Sequence, residues 1–358
     1  MRRVQHGVQR ERHRMTGTGE WAAERSRLEG LLEGYQWSHV LSTAVRVGVV
    51  DALASGACTA MELSARLGLH REAVPRLLQC MAAIGVVRAV GDAFEPTPSL
   101  ALLQRDQPGS LFELAVLGDV MDRAWAGLAT TMVSGESAFE RAFGEPLFIR
   151  LRDHPDIAAA FNDTMAALSY PVVDRFVADF DVGTASCIVD VGGGMGHLGL
   201  ALARAHPRVD VIVFDLPQTQ AEATTFLTDH AIGNRCRFEA GNFFKTIPRG
   251  ADIYLLKWVL HDWGDDRCQR ILDNCRAALP PEGRIVIIER LLPDRPEPGE
   301  DAVLRFDMAM LALGGVGTAQ ERTLDQYDSL LHAAGLERRA AMPLTEGFVA
   351  MTATCSEP

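Results

Sequence analysis

The sequence predicts a doubly wound α/β domain placed behind a helical N-terminal domain that contains a winged helix. Three observations carry this. Residues 187 to 199, Cys-Ile-Val-Asp-Val-Gly-Gly-Gly-Met-Gly-His-Leu-Gly, run from a short apolar strand through a glycine turn into a helix. From there on, short apolar strands alternate with segments of helical period. Well before it, residues 59 to 94 read as helix, turn, helix and hairpin. The 358 residues leave room for two or three domains, and a hydrophobic content of 47% supplies a core.

Residues 1–19 are rich in Arg, His, Gln and Gly and are expected to form a disordered leader. Residues 20–110 are the N-terminal domain. Val40, Leu41, Ala44, Val45, Val47 and Val49 mark a mostly buried helix pair over 35–53. Thr59 with Glu62 three residues on is a capping box, opening a short helix to Leu67. A second helix over 72–84 carries Val74, Leu77, Leu78 and Met81 on one face, and Gly91-Asp92 turns a small hairpin.

A winged helix raises the question of DNA. The second helix offers only His70, Arg71 and Arg76 as cations, and the net charge is −12. A structural or dimer-forming role is therefore favoured over nucleic-acid binding. The same charge argues against an anionic membrane surface, and no apolar run is long enough to span a bilayer. No apolar stretch of a secretory signal follows the Arg-rich N-terminus. Seven scattered cysteines without a C-x-x-C fit free thiols in a reducing cytoplasm.

Residues 111–180 read as helices punctuated by Pro146, Pro155 and Pro171. Phe161, Met165 and Leu168 share a face there, as core or as pocket wall. Residues 181–358 are the α/β domain. Strands are expected at 187–191, 209–215, 235–240, 251–256 and 284–289, with helices at about 197–206, 218–230 and 266–279. After 301 come a long helix, a loop, a helix to Ala334 and two late strands at about 337–341 and 347–354. The short connection between those strands permits an antiparallel pair.

In such sheets ligands sit beyond the carboxyl ends of the strands. The residues there are Asp190, Asp215, Asn242, Lys257, Glu289 and, just past the fourth strand, His261. Gly194, Gly196 and Gly199 fit G-x-G-x-x-G, which leaves a dinucleotide in play. A pyrophosphate wants bare helix N–H groups, and Asp190 would repel it. S-adenosylmethionine (SAM), with an amino group and a sulfonium and no phosphate, suits that acid better. Asp215 lies 21 residues after Gly194, where a carboxylate accepts both ribose hydroxyls. His261 stands where a substrate meets the cofactor and can take a proton near neutral pH.

From about residue 20 the chain resembles the SAM-dependent O-methyltransferases of plant caffeic-acid type and of bacterial natural-product biosynthesis. The matching stretches are Asp190-Val-Gly-Gly-Gly-Met-Gly-His, Phe214-Asp-Leu-Pro217, Gly241-Asn-Phe-Phe244, Leu256-Lys-Trp-Val-Leu-His-Asp-Trp263, Ile288-Glu289 and Glu321-Arg-Thr323. The resemblance implies a Rossmann-like SAM-binding domain and a homodimer formed through the winged-helix domain. It implies that Gly192 and Gly194 line the methionine part of SAM. Asp215 would hold the ribose, Leu216, Asn242 and Phe243 the adenine, and Lys257 the cofactor's backbone side. It makes His261 the general base, with Glu289 and Glu321 hydrogen-bonded to it, and S-adenosylhomocysteine (SAH) the product. Asp262, Phe161, Met165, Trp258, Met308 and Met310 are candidates to meet a flat, largely apolar acceptor, with a phenolic hydroxyl as the expected methyl acceptor. No metal is required, and no His/Asp/Glu cluster has metal-site spacing in the sequence.

Two departures stand out. Asn242 replaces an aspartate of the family pattern, and Gly314-Gly-Val-Gly-Thr-Ala-Gln-Glu321 is about four residues longer than the family's loop. Two other readings stay open: the same fold and cofactor used for N- or C-methylation or without methyl transfer, and a DNA-binding regulator.

Overall fold

The computed structural model describes residues 19–105, 107, 109–230, 233–299 and 301–356. The leader expected over 1–19 lies, apart from Gly19, outside them. The chain forms two compact units that part after Gly118.

The first unit opens with a long helix α1 (Gly19–Arg46), followed by α2 (Val49–Ala54), β1 (Cys58–Thr59), α3 (Ala60–Leu67) and α4 (Val74–Ala83). The capping box forms as expected: the Glu62 N–H donates to Thr59 Oγ1, and the Thr59 N–H donates to the Glu62 carboxylate at 2.8 Å. β2 (Val87–Val90) and β3 (Ala93–Pro96) are the hairpin, and β1 adds to the far edge of β3. Leu53, Leu63, Leu78, Met81 and Phe94 close the core of this winged helix. A short α5 (Pro98–Ala101) precedes α6 (Phe112–Ala126), in which the two units part.

The second unit continues with α7 (Leu128–Ser134), α8 (Ala138–Phe143), α9 (Leu147–Asp153) and α10 (Pro155–Asp179). Pro146 and Pro155 stand at helix starts, where no backbone N–H is needed. Pro171 does not punctuate: it lies inside α10. It leaves the Ala167 carbonyl without its usual partner, a cost of about 3 kcal/mol in a helix interior. Val172, Val173 and Phe176, buried just beyond it, offset that by packing on the sheet.

The sheet has seven strands in the order β6-β5-β4-β7-β8-β10-β9. β4 (Cys187–Val191), β5 (Asp210–Asp215), β6 (Cys236–Ala240), β7 (Ile253–Lys257) and β8 (Arg284–Arg290) are parallel. β9 (Leu336–Pro343) and β10 (Phe348–Cys355) are antiparallel, and β10 pairs with β8. Strand residues alternate between two cores: Val189, Val191, Ile285 and Ile287 face one, Ile188, Val286 and Ile288 the other. Both faces are buried, which is why these strands read as continuous apolar runs. Helices α11 (His197–Ala205), α12 (Gln220–Asp229), α13 (Asp265–Ala278), α14 (Asp301–Gly314) and α15 (Leu324–Ala333) complete the unit. Among the described residues, no helix is long and apolar enough to cross a membrane. All seven cysteines are free thiols.

Candidate active site

The carboxyl ends of β4 to β8 gather the polar residues. Two glycines of the first turn are fixed by close contacts. A Cβ on Gly192, whose φ is +70°, would lie 2.8 Å from Val259 Cγ2. One on Gly193 would lie 2.7 Å from Asp190 Oδ2, so the turn folds over that carboxylate. At Gly194 a Cβ would meet nothing within 4 Å, so the turn is open to a ligand there. Asp190 itself is buried, and its Oδ2 has no hydrogen-bond partner. Burial raises its pKa to about 6, against the pull of nearby Lys257. An orphaned buried acceptor beside an open glycine turn fits an amine-bearing ligand.

Asp215 ends β5 and accepts from the backbone N–H groups of Gly194 at 2.8 Å and Leu216 at 2.6 Å. It ties the ends of two strands together, and Leu216 beside it is exposed. Asn242 spends its Oδ1 on the N–H of Phe244 at 2.8 Å. Asn242 is expected to meet the adenine; here the first partner of its oxygen is its own turn. Lys257 Nζ donates to Ser169 Oγ on α10 at 2.8 Å. Burial lowers the Lys257 pKa, while Asp190 and Glu289 oppose the change. Nothing local marks Ser169 as a site residue beyond its place four residues after Met165 on the same helical face. Phe243, Phe244 and Trp263 pack edge to face, with Phe148 stacked on Trp263.

His261 is buried in the turn after β7. Its Nδ1 lies 2.8 Å from Glu321 Oε1, and Asp262 Oδ1 lies 3.5 Å from its Nε2. Glu289 does not bond to the ring. Its Oε1 accepts the backbone N–H groups of Val259, Leu260 and His261 at 3.0, 2.9 and 3.4 Å. The expectation that both acids hydrogen-bond to the imidazole is corrected: Glu321 holds the ring, and Glu289 holds the turn that carries it. Three residues scattered in sequence, His261, Glu289 and Glu321, bring one potential ligand atom each within 4.8 Å of one another. Burial alone would lower the imidazole pKa. The carboxylates of Asp262, Glu289 and Glu321 outweigh it and raise it to about 9. Burial in turn raises Glu289 to about 7 and also lifts Asp262.

The longer loop does not displace Glu321. The Val316 N–H donates to the Gly135 carbonyl at 2.8 Å, and Ser137 Oγ donates to the Leu313 carbonyl at 2.6 Å. The Gln320 N–H donates to the His261 carbonyl at 2.8 Å, and the Glu321 N–H to Asp307 Oδ1 at 2.9 Å. The extra residues are docked on α7 and α8, and the glutamate is delivered by its neighbours.

Trp258 and Phe306 complete the setting. Trp258 has a φ of +54°, rare for a residue with a side chain. Its ring is parallel to those of His261 and Phe306, with centroids 5.9 and 5.6 Å away. On α14 it is thus Phe306 that flanks His261; Met310 is buried and Met308 half-buried on the same helix. On α10, Phe161 is half-buried, and Met165 and Leu168 pack against the core that includes Trp258. Phe306 and Asp307 carry no local signal, because a helix period gives a face and not its neighbour; Arg322 stands in the Glu321-Arg-Thr323 stretch, but its partners lie about 60 residues away in the chain.

A doubly wound sheet with an orphaned acid and an open glycine turn at the first strand and a carboxylate at the second is the setting of a protein that binds a nucleoside-bearing cofactor with an amino group. Residues 125–337 match the family model of the O-methyltransferase domain, and residues 29–103 that of the O-methyltransferase dimerisation domain. The chain belongs to the SAM-dependent O-methyltransferase family. It is 34% identical over 320 residues to phenazine O-methyltransferase PhzM of Lysobacter antibioticus, covering 89% of this chain and 92% of that one. It is 32% identical over 338 residues to the mitomycin biosynthesis 6-O-methyltransferase of Streptomyces lavendulae, covering 93% and 95%. The structure of human N-acetylserotonin methyltransferase in complex with SAM superposes with a TM-score of 0.83 at 25% identity, covering 93% of this chain and 98% of that one. The protein is a methyltransferase, and its cofactor is SAM.

Proposed function

We propose that this enzyme methylates a phenolic hydroxyl of a small, flat natural-product acceptor, with His261 as general base. The observation that carries the reading is the imidazole held by Glu321 at 2.8 Å beside a parallel Trp258 ring. Glu321 accepts the Nδ1 proton, which leaves Nε2 of the neutral ring as the acceptor site. A phenol titrates near pH ~10. An ordinary histidine is more than three units too weak to take its proton, whereas a ring raised to about 9 is matched to within about a unit. The three carboxylates that raise it supply that match. Bound SAM supplies an activated methyl on a sulfonium; the protein's part is to align the acceptor oxygen and receive its proton.

In this reading Gly192, Gly194 and Asp190 receive the methionine part of SAM, Asp215 the ribose, and Leu216, Asn242 and Phe243 the adenine. Lys257, fixed by Ser169, balances Asp190. Asp262 and the apolar residues Phe161, Met165, Trp258, Met308 and Met310 border the acceptor. The test is a screen of monohydric and dihydric aryl acceptors with SAM, the product's methyl being located by NMR. Methyl on oxygen supports the reading; methyl only on nitrogen or carbon overturns it.

Calorimetric titration with SAH is expected to give one site per chain with micromolar affinity. Asn242→Asp should tighten it about three- to tenfold, because the carboxylate keeps the bond to the Phe244 N–H and adds a charged acceptor for the adenine amino group. Unchanged or weaker binding would show that residue 242 does not meet the adenine.

The exposed Trp21, Leu28, Leu31, Leu32, Tyr35 and Trp37 of α1 suit a second copy of this chain. We infer a homodimer through this domain; light scattering that returns a monomer mass would rule it out.

A further inference from the structure

Arg290 follows Glu289 and points to the opposite face of β8. It is 9% exposed. Its guanidinium carbon lies 4.8 Å from the ring centroids of both Phe306 and Phe348 and 5.4 Å from that of Trp258. Stacking of this kind satisfies the faces of a guanidinium. It leaves the in-plane N–H groups needing acceptors. One Nη2 reaches Glu346 at 3.5 Å, the outer limit of a hydrogen bond. The Nε is buried and has no acceptor. The indole Nε1 of neighbouring Trp258 is also buried and has no acceptor. Trp258 is the residue whose ring runs parallel to His261 and whose backbone is held in the left-handed region. Two orphaned donors, one of them cationic, thus belong to residues in contact: the Arg290 guanidinium carbon lies 5.4 Å from the Trp258 ring centroid, and that ring lies 5.9 Å from the ring of His261, whose own nitrogens face Glu321 and Asp262. Each orphan is costly in a buried site unless a ligand brings the acceptor.

We propose that Arg290 and the Trp258 indole N–H form a carboxylate-binding site for the methyl acceptor, so that the natural acceptor is a hydroxylated aryl carboxylic acid. The inference rests on the methyltransferase reading of the His261 site. The carboxylate bonds to the Arg290 Nε–H and the Trp258 Nε1–H, and the aromatic body lies along the Trp258 and Phe306 rings. Specificity follows from the cost of leaving these donors unpaired when the carboxylate is missing.

The test uses the full-length protein saturated with SAH. Hydroxybenzoic and hydroxynaphthoic acids are titrated by calorimetry in parallel with their methyl esters. The wild type should bind at least one acid about tenfold or more tighter than its ester, the scale of a charge-assisted hydrogen bond. Arg290→Gln should reduce that acid-to-ester ratio to near one, Arg290→Lys should keep part of it, and Trp258→Phe should reduce it while keeping the ring. SAH affinity of each variant reports whether it is folded. If Arg290→Gln fails to bind SAH, the lysine and phenylalanine variants decide. Equal binding of acids and esters by the wild type overturns the proposal, as does normal SAH binding with no acid bound at all. Tight binding of the acids by the wild type with no methyl transferred to their hydroxyl in the presence of SAM would instead overturn the reading of His261 as the base of a phenol methyltransferase.

Discussion

Replacing His261 with alanine should lower kcat/KM for the acceptor by about 10² to 10⁴, the usual worth of a positioned general base. SAH should still bind, because His261 contacts Glu321 and Asp262 and not the glycine turn. Removing the imidazole also leaves the buried Glu321 without its partner, so His261→Asn is the safer companion: an amide offers a donor to Glu321 and takes no proton. The pH dependence fixes the role further. The base works deprotonated, and the ring's pKa is raised to about 9 by the surrounding carboxylates. The wild-type rate should therefore climb with pH through the neutral range and level off above about pH 9. Glu321→Gln removes a carboxylate that raises the ring, so the rising limb should move to lower pH. A flat profile between pH 6 and 9, or turnover by His261→Asn within threefold of wild type, would remove His261 from the base role.

The second large effect is structural. Arg322 is 1% exposed. Its Nη1 donates to the Leu260 carbonyl at 3.0 Å, and its Nη2 to the Trp263 carbonyl at 2.8 Å and to Asp265 Oδ1 at 2.8 Å. Those carbonyls lie on either side of His261, so the guanidinium staples the turn that carries the base. The pair with Asp265 adds little, because that carboxylate is mostly in solvent. The two carbonyls decide the cost. Arg322→Ala orphans both and opens a cavity, for about 2–4 kcal/mol. A melting temperature lower by roughly 5–15 °C is the expected reading for a unit of this size. Arg322→Lys should recover part of it, since one ammonium cannot match a planar fork. In whatever fraction remains folded, kcat should fall more than SAH affinity. A melting temperature within 1 °C of wild type would show that the staple carries no strain or load.

Much of this protein is local and therefore written in the chain. Strand, glycine turn and helix at 187–205 follow from residue type alone: glycines where Val259 and the Asp190 carboxylate leave no room for a Cβ, apolar residues where both sheet faces are covered. The capping box at Thr59, the winged-helix hairpin and the acids at the strand ends are equally local. Position at a strand's carboxyl end was enough to nominate Asp190, Asp215, Lys257, His261 and Glu289.

Which partner each side chain takes was settled only by packing. Glu289 and Glu321 look alike in sequence, yet one grips three backbone N–H groups and the other the imidazole. Ser169 meets Lys257 across 88 residues, and Phe306 rather than a methionine lies parallel to the base. Pro171 continues a helix because the residues after it are buried against a sheet. In each case the choice depends on the distance between segments far apart in the chain. Periodicity tells which way a side chain faces; only the closed fold, by excluding water and bringing a second element to within bonding range, decides what it faces.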